Sequence, residues 1–257
     1  MAKPLHIDAR AVARTVEEAR SFRPSVHCIT NTVAQNFTAN VLLAIGMRPS
    51  MTVALDEISG FVKSADALLI NLGTMDEDRR TAIDDAIAIA QERNLPWVLD
   101  PTFVEKSEPR QNLAKQLVGR KPTALRFNPG EGQYILGAHS SEPHALTVLS
   151  RSTGSALVMT GAEDVLAVDD DLARVRNGSP LMDRVTAMGC ALSAVVAGFL
   201  AAENDRQLAI VSALVLYGLA GSEAETRASG PGSFVPAFLD ALYALSADDI
   251  IAGARIA

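Results

Sequence analysis

The chain has 257 residues, of which 48% are hydrophobic and 21% charged, and its formal net charge is −7 at pH 7. These values are typical of a globular protein, and the negative charge argues against nucleic acid or an anionic membrane surface as the main partner. The two cysteines, Cys28 and Cys190, are too few for a disulfide scaffold or a zinc site. No shift in composition marks a boundary, so we predict a single domain over residues 1–257.

The sequence pattern indicates neither a signal peptide nor a membrane span. The N-terminal segment, residues 1–20, is charged and lacks an apolar signal core. The apolar stretches at residues 191–202 and 208–220 are short or interrupted by Ser and Gly, which favours buried helices. We therefore expect a cytoplasmic protein with no membrane partner.

Apolar runs of strand length recur along the first two thirds of the chain, at residues 67–70, 97–99, 124–127 and 156–159. Each run is followed by turn residues, and segments of helical period lie between the runs. This alternation of strand and helix predicts a mostly parallel sheet with helices on both faces.

Helix signals complete the pattern. Residues 76–93 form the clearest helical segment, capped by Thr74 or Asp76, and a shorter one covers residues 112–118. Residues 186–222 predict two buried apolar helices joined by a short polar link at 203–206. A loop at residues 230–233 should precede a final helix, roughly over residues 235–245.

The ends of the predicted strands point to a ligand site. In an open parallel sheet, ligands bind beyond the carboxyl ends of the strands. We expect the residues that follow the four strands to share one rim with the turn at residues 186–190. These residues are Asn71, Gly73, Thr74, Asp100, Asn128, Glu131, Thr160 and Gly161.

The turn at residues 186–190 leads directly into an apolar helix, with Cys190 at the helix start. Backbone N–H groups at a helix N-terminus, together with the helix dipole, favour an anion such as a transferring phosphoryl group. A buried helix start with an inert core cysteine is the alternative, and the segment taken alone favours it. The same helix N-terminus would lower the pKa of the thiol.

Two carboxylates and one arginine add possible chemistry to this rim. Asp100 and Glu131 follow strands and suit Mg²⁺, which takes oxygen ligands together with phosphates and water. Asn128 and Glu131 also fit a helix capping box, so a capping role for Asn128 is as well supported as a ligand role. Arg126 interrupts an apolar strand, where burial requires a phosphate or a nearby carboxylate as partner.

Three other patterns carry less information. The Thr160-Gly161 turn would allow close approach of a nucleotide phosphate, but such turns are common. His27 and Cys28 invite a catalytic dyad, yet adjacent strand residues point to opposite faces. The sequence has neither a Walker A nor a G-x-G-x-x-G motif.

Seven segments, taken in order, resemble one known family. They are His27-Cys28-Ile29-Thr30-Asn31, the stretch 40–46 with Pro49-Ser50-Met51, Asn71-Leu72-Gly73-Thr74, Leu99-Asp100-Pro101, Arg126-Phe127-Asn128-Pro129-Gly130-Glu131, Thr160-Gly161, and Gly230-Pro231-Gly232-Ser233-Phe234. Together they resemble hydroxyethylthiazole kinase, within the ribokinase-like superfamily, over about residues 26–242.

The resemblance implies a ribokinase-like α/β fold, a three-layer sandwich with a mostly parallel central sheet flanked by helices. It implies phosphorylation of the hydroxyl of 4-methyl-5-(2-hydroxyethyl)thiazole by ATP and Mg²⁺ in thiazole salvage for thiamine. It also implies a homotrimer with sites at subunit interfaces. The implied roles are catalysis for Cys190 and Gly189, substrate binding for Met51, Asn31, Gly73 and Ala187, ATP binding for Arg126, Thr160, Gly161 and Asn128, and metal binding for Asp100 and Glu131.

Three departures from the family pattern add bulk near the expected ligands. Ala187 replaces a glycine and is followed by Met188, residues 102–105 replace a Gly-rich loop, and Phe127 replaces another glycine. Two alternatives therefore stay open: a kinase for another small alcohol, and a catalytically silent homologue that binds nucleotide or thiazole. Whether the alcohol is hydroxyethylthiazole or another one, we expect Cys190 only to assist the reaction, because an unperturbed thiol titrates near pH ~8.5.

Overall fold

The computed structural model describes residues 3–137 and 140–257. Within them the strands are β1 (Lys3–Pro4), β2 (Ser25–Ile29), β3 (Arg48–Ser50), β4 (Ala67–Asn71), β5 (Trp97–Asp100), β6 (Ala124–Phe127), β7 (Ala156–Met159), β8 (Asp164–Val168) and β9 (Asp171–Val175). The helices are α1 (Ala9–Phe22), α2 (Gln35–Ile45), α3 (Ile58–Ser64), α4 (Glu77–Arg93), α5 (Glu108–Gly119), α6 (Pro129–Ile135), α7 (Pro143–Thr153), α8 (Met188–Ala202), α9 (Arg206–Arg227), α10 (Pro231–Ala244) and α11 (Ala247–Gly253).

All strands of the described residues form one sheet, in the order β1-β9-β8-β7-β6-β5-β4-β2-β3. The pairs from β3 through β7 are parallel, as predicted, whereas β8 is antiparallel to both β7 and β9. The carboxyl ends of β2 to β7 therefore lie along one edge. In that edge, Asn71 of β4 is paired in register with Asp100 of β5.

Alternating side chains along the strands build a separate core on each face of the sheet. Cys28 and Leu69 belong to the core beneath α1, α2, α8, α9 and α10, whereas Leu68 and Ile70 belong to the core beneath α3, α4 and α5. The predicted α/β three-layer sandwich is confirmed.

The two apolar helices are confirmed as α8 and α9, and α9 begins at Arg206 because Asp205 caps its first turn. Among the described residues, α9 is the one helix long and apolar enough to cross a membrane. Of its apolar window, 78% is buried inside the fold, as expected for a core helix.

Several predicted helix bounds are wrong. The helix expected at residues 112–118 is α5, which starts earlier, at Glu108, with a proline in its first turn. Residues 230–233 are not a loop, because Pro231 starts α10, where its missing N–H is not needed. The helix expected at 235–245 is not the last one, since α11 follows with a Ser246–Asp249 capping box.

Candidate active site

Asp100 is the buried centre of the polar groups along the carboxyl edge of the sheet. It is fully buried at the end of β5. Its Oδ1 accepts hydrogen bonds from the Thr102 hydroxyl (2.7 Å) and amide (3.2 Å), and its Oδ2 accepts one from the Ser193 hydroxyl of α8 (2.8 Å). These bonds fix the orientation of the carboxylate, and Oδ2, which accepts one hydrogen bond, keeps a lone pair that a metal-bound water could use.

Two asparagines connect this carboxylate group with Cys190. Asn71 donates to Thr102 Oγ1 (2.7 Å), and its own Oδ1 accepts from Asn31 Nδ2 (3.2 Å). Asn31 Nδ2 also donates to Cys190 Sγ (3.3 Å). Residues predicted at separate strand ends are therefore brought together in one hydrogen-bonded network.

Gly73 fits closely into this network. Its amide donates to Asn71 Oδ1 (3.0 Å), and a Cβ at this position would lie 2.5 Å from the Cβ of Asn31. Any side chain at residue 73 would displace Asn31, and with it the partner of Cys190.

The first turn of α8 has an unusual backbone. Ala187, at the N-cap, has a φ of +68°, in the left-handed region that favours glycine, and its side chain makes no capping bond. A Cβ at Gly189 would lie 2.6 Å from Nη1 and 2.7 Å from Nη2 of Arg126. The lack of a side chain at Gly189 thus lets the guanidinium pack directly against the helix turn.

Cys190 is mostly buried, and its environment disfavours the thiolate. Burial, and then the negative charge of Asp100, raise the pKa of Cys190 to about 11, although the bond from Asn31 acts in the opposite direction. The expectation that the helix N-terminus would lower this pKa is wrong, because desolvation outweighs the dipole. At neutral pH the residue is a thiol.

Arg126 retains hydrogen-bonding capacity for an anion. One Nη2 hydrogen bond goes to the hydroxyl of Thr160, Nη1 lies 4.0 Å from Asp100 Oδ2, and Nε is buried without a partner. The Asp100 carboxylate and the Thr160 hydroxyl therefore use only part of the hydrogen-bonding capacity of the Arg126 guanidinium. A phosphate group would satisfy the rest.

Glu131 and Asn128 form the capping box of α6. The Asn128 side chain accepts from the Glu131 amide (2.9 Å), and Glu131 Oε2 accepts from the Asn128 amide (3.0 Å). Glu131 Oε1 also accepts from the Phe103 amide (3.0 Å). The capping role predicted for Asn128 is confirmed, while its role toward a nucleotide stays a prediction.

Two buried carboxylates near one another suit a cation. Burial, and then the charge of Asp100, raise the pKa of Glu131. A divalent cation between the two residues would remove this repulsion. Within residues 3–137 and 140–257, no group of three or more His, Cys, Asp and Glu is placed to hold a metal, so such a cation would need water and phosphate as its other ligands.

The bulky departures do not all face the rim. Phe127 is fully buried in the core beneath α4 and α5, against Gly132, so the expectation that it adds bulk near ligands is wrong. Its position on β6 next to Arg126 explains this, because neighbouring strand side chains alternate. Phe103 is 62% exposed and Met188 is 7% exposed.

A cavity of about 620 Å³ opens beside this network and contains Arg126, Thr160, Gly161 and Gly189 in its wall. A larger cavity of about 770 Å³ lies at the opposite edge of the sheet, around Pro96. The smaller one is the candidate ligand site, because within the described part of the chain the buried polar groups and the helix turn converge there.

The sequence analysis missed several residues that line the smaller cavity. Asp164 lies three residues after Gly161, and its Oδ1 accepts a hydrogen bond from the Gly161 amide (3.0 Å). Burial raises the pKa of Asp164 to about 6. Its spacing from the Thr160-Gly161 turn is a signal that could have identified it. The other missed residues are Ala162, Arg176, Asn177, Gly178, Ser179, Pro180, Met182, Asp183, Leu192, Tyr217 and Gly218.

Met51 lies directly after β3, the last strand of the sheet on this side. It is half-buried and packs against the core beneath α8. The predicted substrate residues Met51, Asn31 and Gly73 thus follow three neighbouring strands, β3, β2 and β4. They extend the rim away from the cavity beside Arg126.

Comparison with known proteins agrees with this geometry. The model of the "Hydroxyethylthiazole kinase family" matches residues 16–248. A probable hydroxyethylthiazole kinase of Agrobacterium fabrum is 41% identical over 248 residues, which cover 96% of this chain and 95% of the relative. The chain belongs to the hydroxyethylthiazole kinase family.

Solved structures support the same fold. A hydroxyethylthiazole kinase protein from Pyrococcus horikoshii superimposes with a TM-score of 0.91 at 33% identity, covering 96% of this chain and 98% of that chain. An ADP complex of Bacillus subtilis pyridoxal kinase has a TM-score of 0.60 at 17% identity, covering 77% and 91%, and shares the fold. The ribokinase-like architecture expected from the resemblance is therefore confirmed.

Proposed function

We propose that the protein transfers the γ-phosphoryl group of ATP to the hydroxyl of 4-methyl-5-(2-hydroxyethyl)thiazole, in thiazole salvage for thiamine. The observation that carries the proposal is the network that joins Asp100 to Cys190 and lies beside Arg126 and the first turn of α8. Membership of the kinase family supports the same reaction.

ATP would occupy the 620 Å³ cavity, with its phosphates toward Arg126, Thr160, Gly161 and the exposed side of Asn128. The unpartnered Nε of Arg126 supports this orientation, because a phosphate supplies the missing acceptor. The ADP complex of pyridoxal kinase, on the same fold, supports nucleotide binding by this architecture.

The rest of the rim would receive the alcohol. The thiazole would lie toward Met51, with Gly73 and the Asn31 side chain keeping the substrate side of the rim in shape. The hydroxyl would point to Cys190, in line with the phosphoryl group. The amides of residues 187–190 would stabilise the negative charge that develops during transfer.

Cys190 would orient the substrate hydroxyl rather than remove its proton before transfer. With a pKa near 11, its sulfur stays protonated at neutral pH and accepts the Asn31 hydrogen bond. A loose phosphoryl-transfer transition state needs little help from a base, so a thiol suffices here.

Mg²⁺ would be held by Asp100 and Glu131 through water. The carboxylate donor set fits this hard cation, which supplies neutralisation of phosphate charge when bound. Asp100 is fixed by Ser193 and Thr102, and Glu131 by the start of α6, so both side chains are positioned before the cation binds.

We also propose that the protein works as one domain in a cytoplasmic homotrimer, with sites at subunit interfaces. The single sheet, the two free cysteines and the burial of most of α9 are compatible with this. The exposed apolar side chains Val33 (67% exposed) and Leu43 (59%) offer surface for a second copy.

A coupled ADP-release assay tests the reaction. We expect ADP release that requires both hydroxyethylthiazole and Mg²⁺, and loss of it in Asp100→Asn. Nucleotide binding should be confirmed first by calorimetry. If ATP binds but thiazole releases no ADP while another small alcohol does, the substrate assignment is wrong. If no alcohol is turned over, the protein is a silent homologue.

A further inference from the structure

His27 holds the two residues on either side of Met51. The ring is fully buried in β2, with Nδ1 2.8 Å from Ser50 Oγ and Nε2 3.1 Å from the Thr52 carbonyl oxygen. A carbonyl only accepts, so Nε2 carries the ring proton and Nδ1 accepts from the Ser50 hydroxyl. One side chain thus fixes the chain just before and just after Met51.

The hydrogen bonds of His27 extend beyond the end of the pairing between β2 and β3. The pairing of β2 with β3 ends at His27 opposite Ser50, and α3 begins only at Ile58. Thr52 lies two residues beyond that last pair. The His27 ring therefore holds backbone that the strand ladder does not reach.

His27 and Met51 lie on opposite faces of the sheet. The His27 ring contacts Phe61 of α3, with ring centroids 5.9 Å apart, whereas Met51 packs against the core beneath α8. Alternation along β3 explains the arrangement, because Ser50 faces His27 and the next residue faces away. His27 thus acts on Met51 through the backbone from behind the sheet.

The ring is suited to a fixed role. Burial lowers the pKa of His27 to about 4, so the ring stays neutral and keeps one donor and one acceptor near neutral pH. A buried histidine with satisfied nitrogens is often only structural. Here, however, both partners flank a single predicted substrate residue.

We propose that His27 is a positioning residue for the alcohol substrate, and that it holds residues 50–52 so that Met51 stays at the substrate end of the rim. The proposal rests on the proposed function for the identity of the alcohol and for the contact made by Met51. It predicts that loss of His27 changes the KM for the alcohol and not the KM for the nucleotide, whose proposed cavity lies around β6 and β7.

His27→Phe removes both hydrogen bonds and keeps an aromatic ring against Phe61. Cys28→Ala is the matched control, because it changes a buried residue of the same strand that faces the other core. We expect His27→Phe to raise the KM for hydroxyethylthiazole about tenfold and to change the KM for ATP less than about twofold. Cys28→Ala should change neither KM.

Two further variants separate the two bonds. His27→Gln can still donate to the Thr52 carbonyl but loses the Ser50 bond, so its KM for the alcohol should lie between those of wild type and His27→Phe. Ser50→Ala should match His27→Gln. If His27→Phe raises both KM values equally, or if Cys28→Ala reproduces its effect, His27 is only structural and the proposal is wrong.

Hydrogen exchange tests the same idea without activity. The peptide that covers residues 50–54 should exchange faster in His27→Phe than in wild type, while peptides from β6 and β7 stay unchanged. Unchanged exchange at residues 50–54 overturns the proposal even if the wild type is active. A wild type that turns over no alcohol overturns the proposed function instead, and with it the substrate role given to His27.

Discussion

At the scale of single residues, the candidate active site depends on asparagine side chains whose amide groups already form hydrogen bonds within the protein. Asn31 uses its Nδ2 for Asn71 and Cys190, and its Oδ1 accepts from the Ala34 amide (2.9 Å). We infer that Asn31 and Asn71 shape the rim mainly by holding other groups. We therefore expect Asn31, predicted to bind substrate, to affect the substrate chiefly through Cys190 and Gly73.

The first residue-scale prediction concerns Cys190. Cys190→Ser should lower kcat on the order of tenfold, because the hydroxyl keeps a polar group at this position while the reaction needs only assistance. Since the pKa of the thiol is about 11, wild-type kcat should show no rise between pH 7 and 9 that Cys190→Ser lacks. Such a rise, or complete loss of activity in a folded Cys190→Ser protein, would make Cys190 the essential base.

The second residue-scale prediction concerns Ala187. Ala187→Gly relieves a left-handed conformation at φ +68° and opens the turn, so kcat/KM for hydroxyethylthiazole should rise. A methyl group in a tight pocket is worth about 1–3 kcal/mol. Lys121→Gly is the control, since Lys121 has a similar φ of +57° but lies outside this site.

Lys121→Gly should change the melting temperature as Ala187→Gly does, and leave the kinetics unchanged. Unchanged thiazole kinetics in Ala187→Gly, together with a markedly better alternative alcohol, would instead show that the pocket is built for that alcohol.

At the scale of elements, the strand–helix alternation predicted the central strands, because apolar runs of strand length bounded by turns have few other interpretations. It missed the short strands β1 and β3 and the antiparallel β8 and β9, whose inclusion depends on pairing with neighbouring strands rather than on a local pattern. The position of the polar rim was also predictable, because the carboxyl ends of parallel strands lie along one edge of the sheet. The inward orientation of Phe127 and the burial that raises the pKa of Cys190 depend on tertiary packing and could not be read from the sequence.

The element-scale prediction separates the two roles of Glu131 at the start of α6. Glu131→Gln should keep the capping box, since its amide oxygen still accepts from Asn128, and it should lose the bond from the Phe103 amide. It should lower kcat by ~10²-fold, about 2.7 kcal/mol of transition-state stabilisation, and raise the Mg²⁺ concentration needed for half-maximal rate. The rate should be measured across a Mg²⁺ titration.

Ser246→Ala is the matched control, because it breaks the equivalent capping box of α11 away from the site. It should lower the free energy of unfolding by about 1 kcal/mol and leave the Mg²⁺ titration unchanged. A wild-type rate and metal titration in Glu131→Gln would leave Glu131 as a helix cap only.

At the scale of the whole molecule, the proposed substrate end of the rim lies at the margin of the sheet. Met51 follows β3, which is an edge strand of the sheet and pairs only with β2 among the described strands. The cavity proposed to hold the nucleotide lies farther along the same edge, around β6 and β7. Such a half-open substrate end is where a second copy of the chain would complete the site.

We therefore expect a homotrimer, with a mass by light scattering of three times the 27.2 kDa chain. Leu43 is 59% exposed on α2, the helix next to β3. Leu43→Glu should weaken assembly and raise the KM for the alcohol, because a charge opposes burial of this surface. Phe22→Glu changes a similarly exposed apolar residue (53%) beside the cavity at the opposite edge, and this variant should stay trimeric and active. A stable monomer with full wild-type activity would reject both the trimer and the shared site.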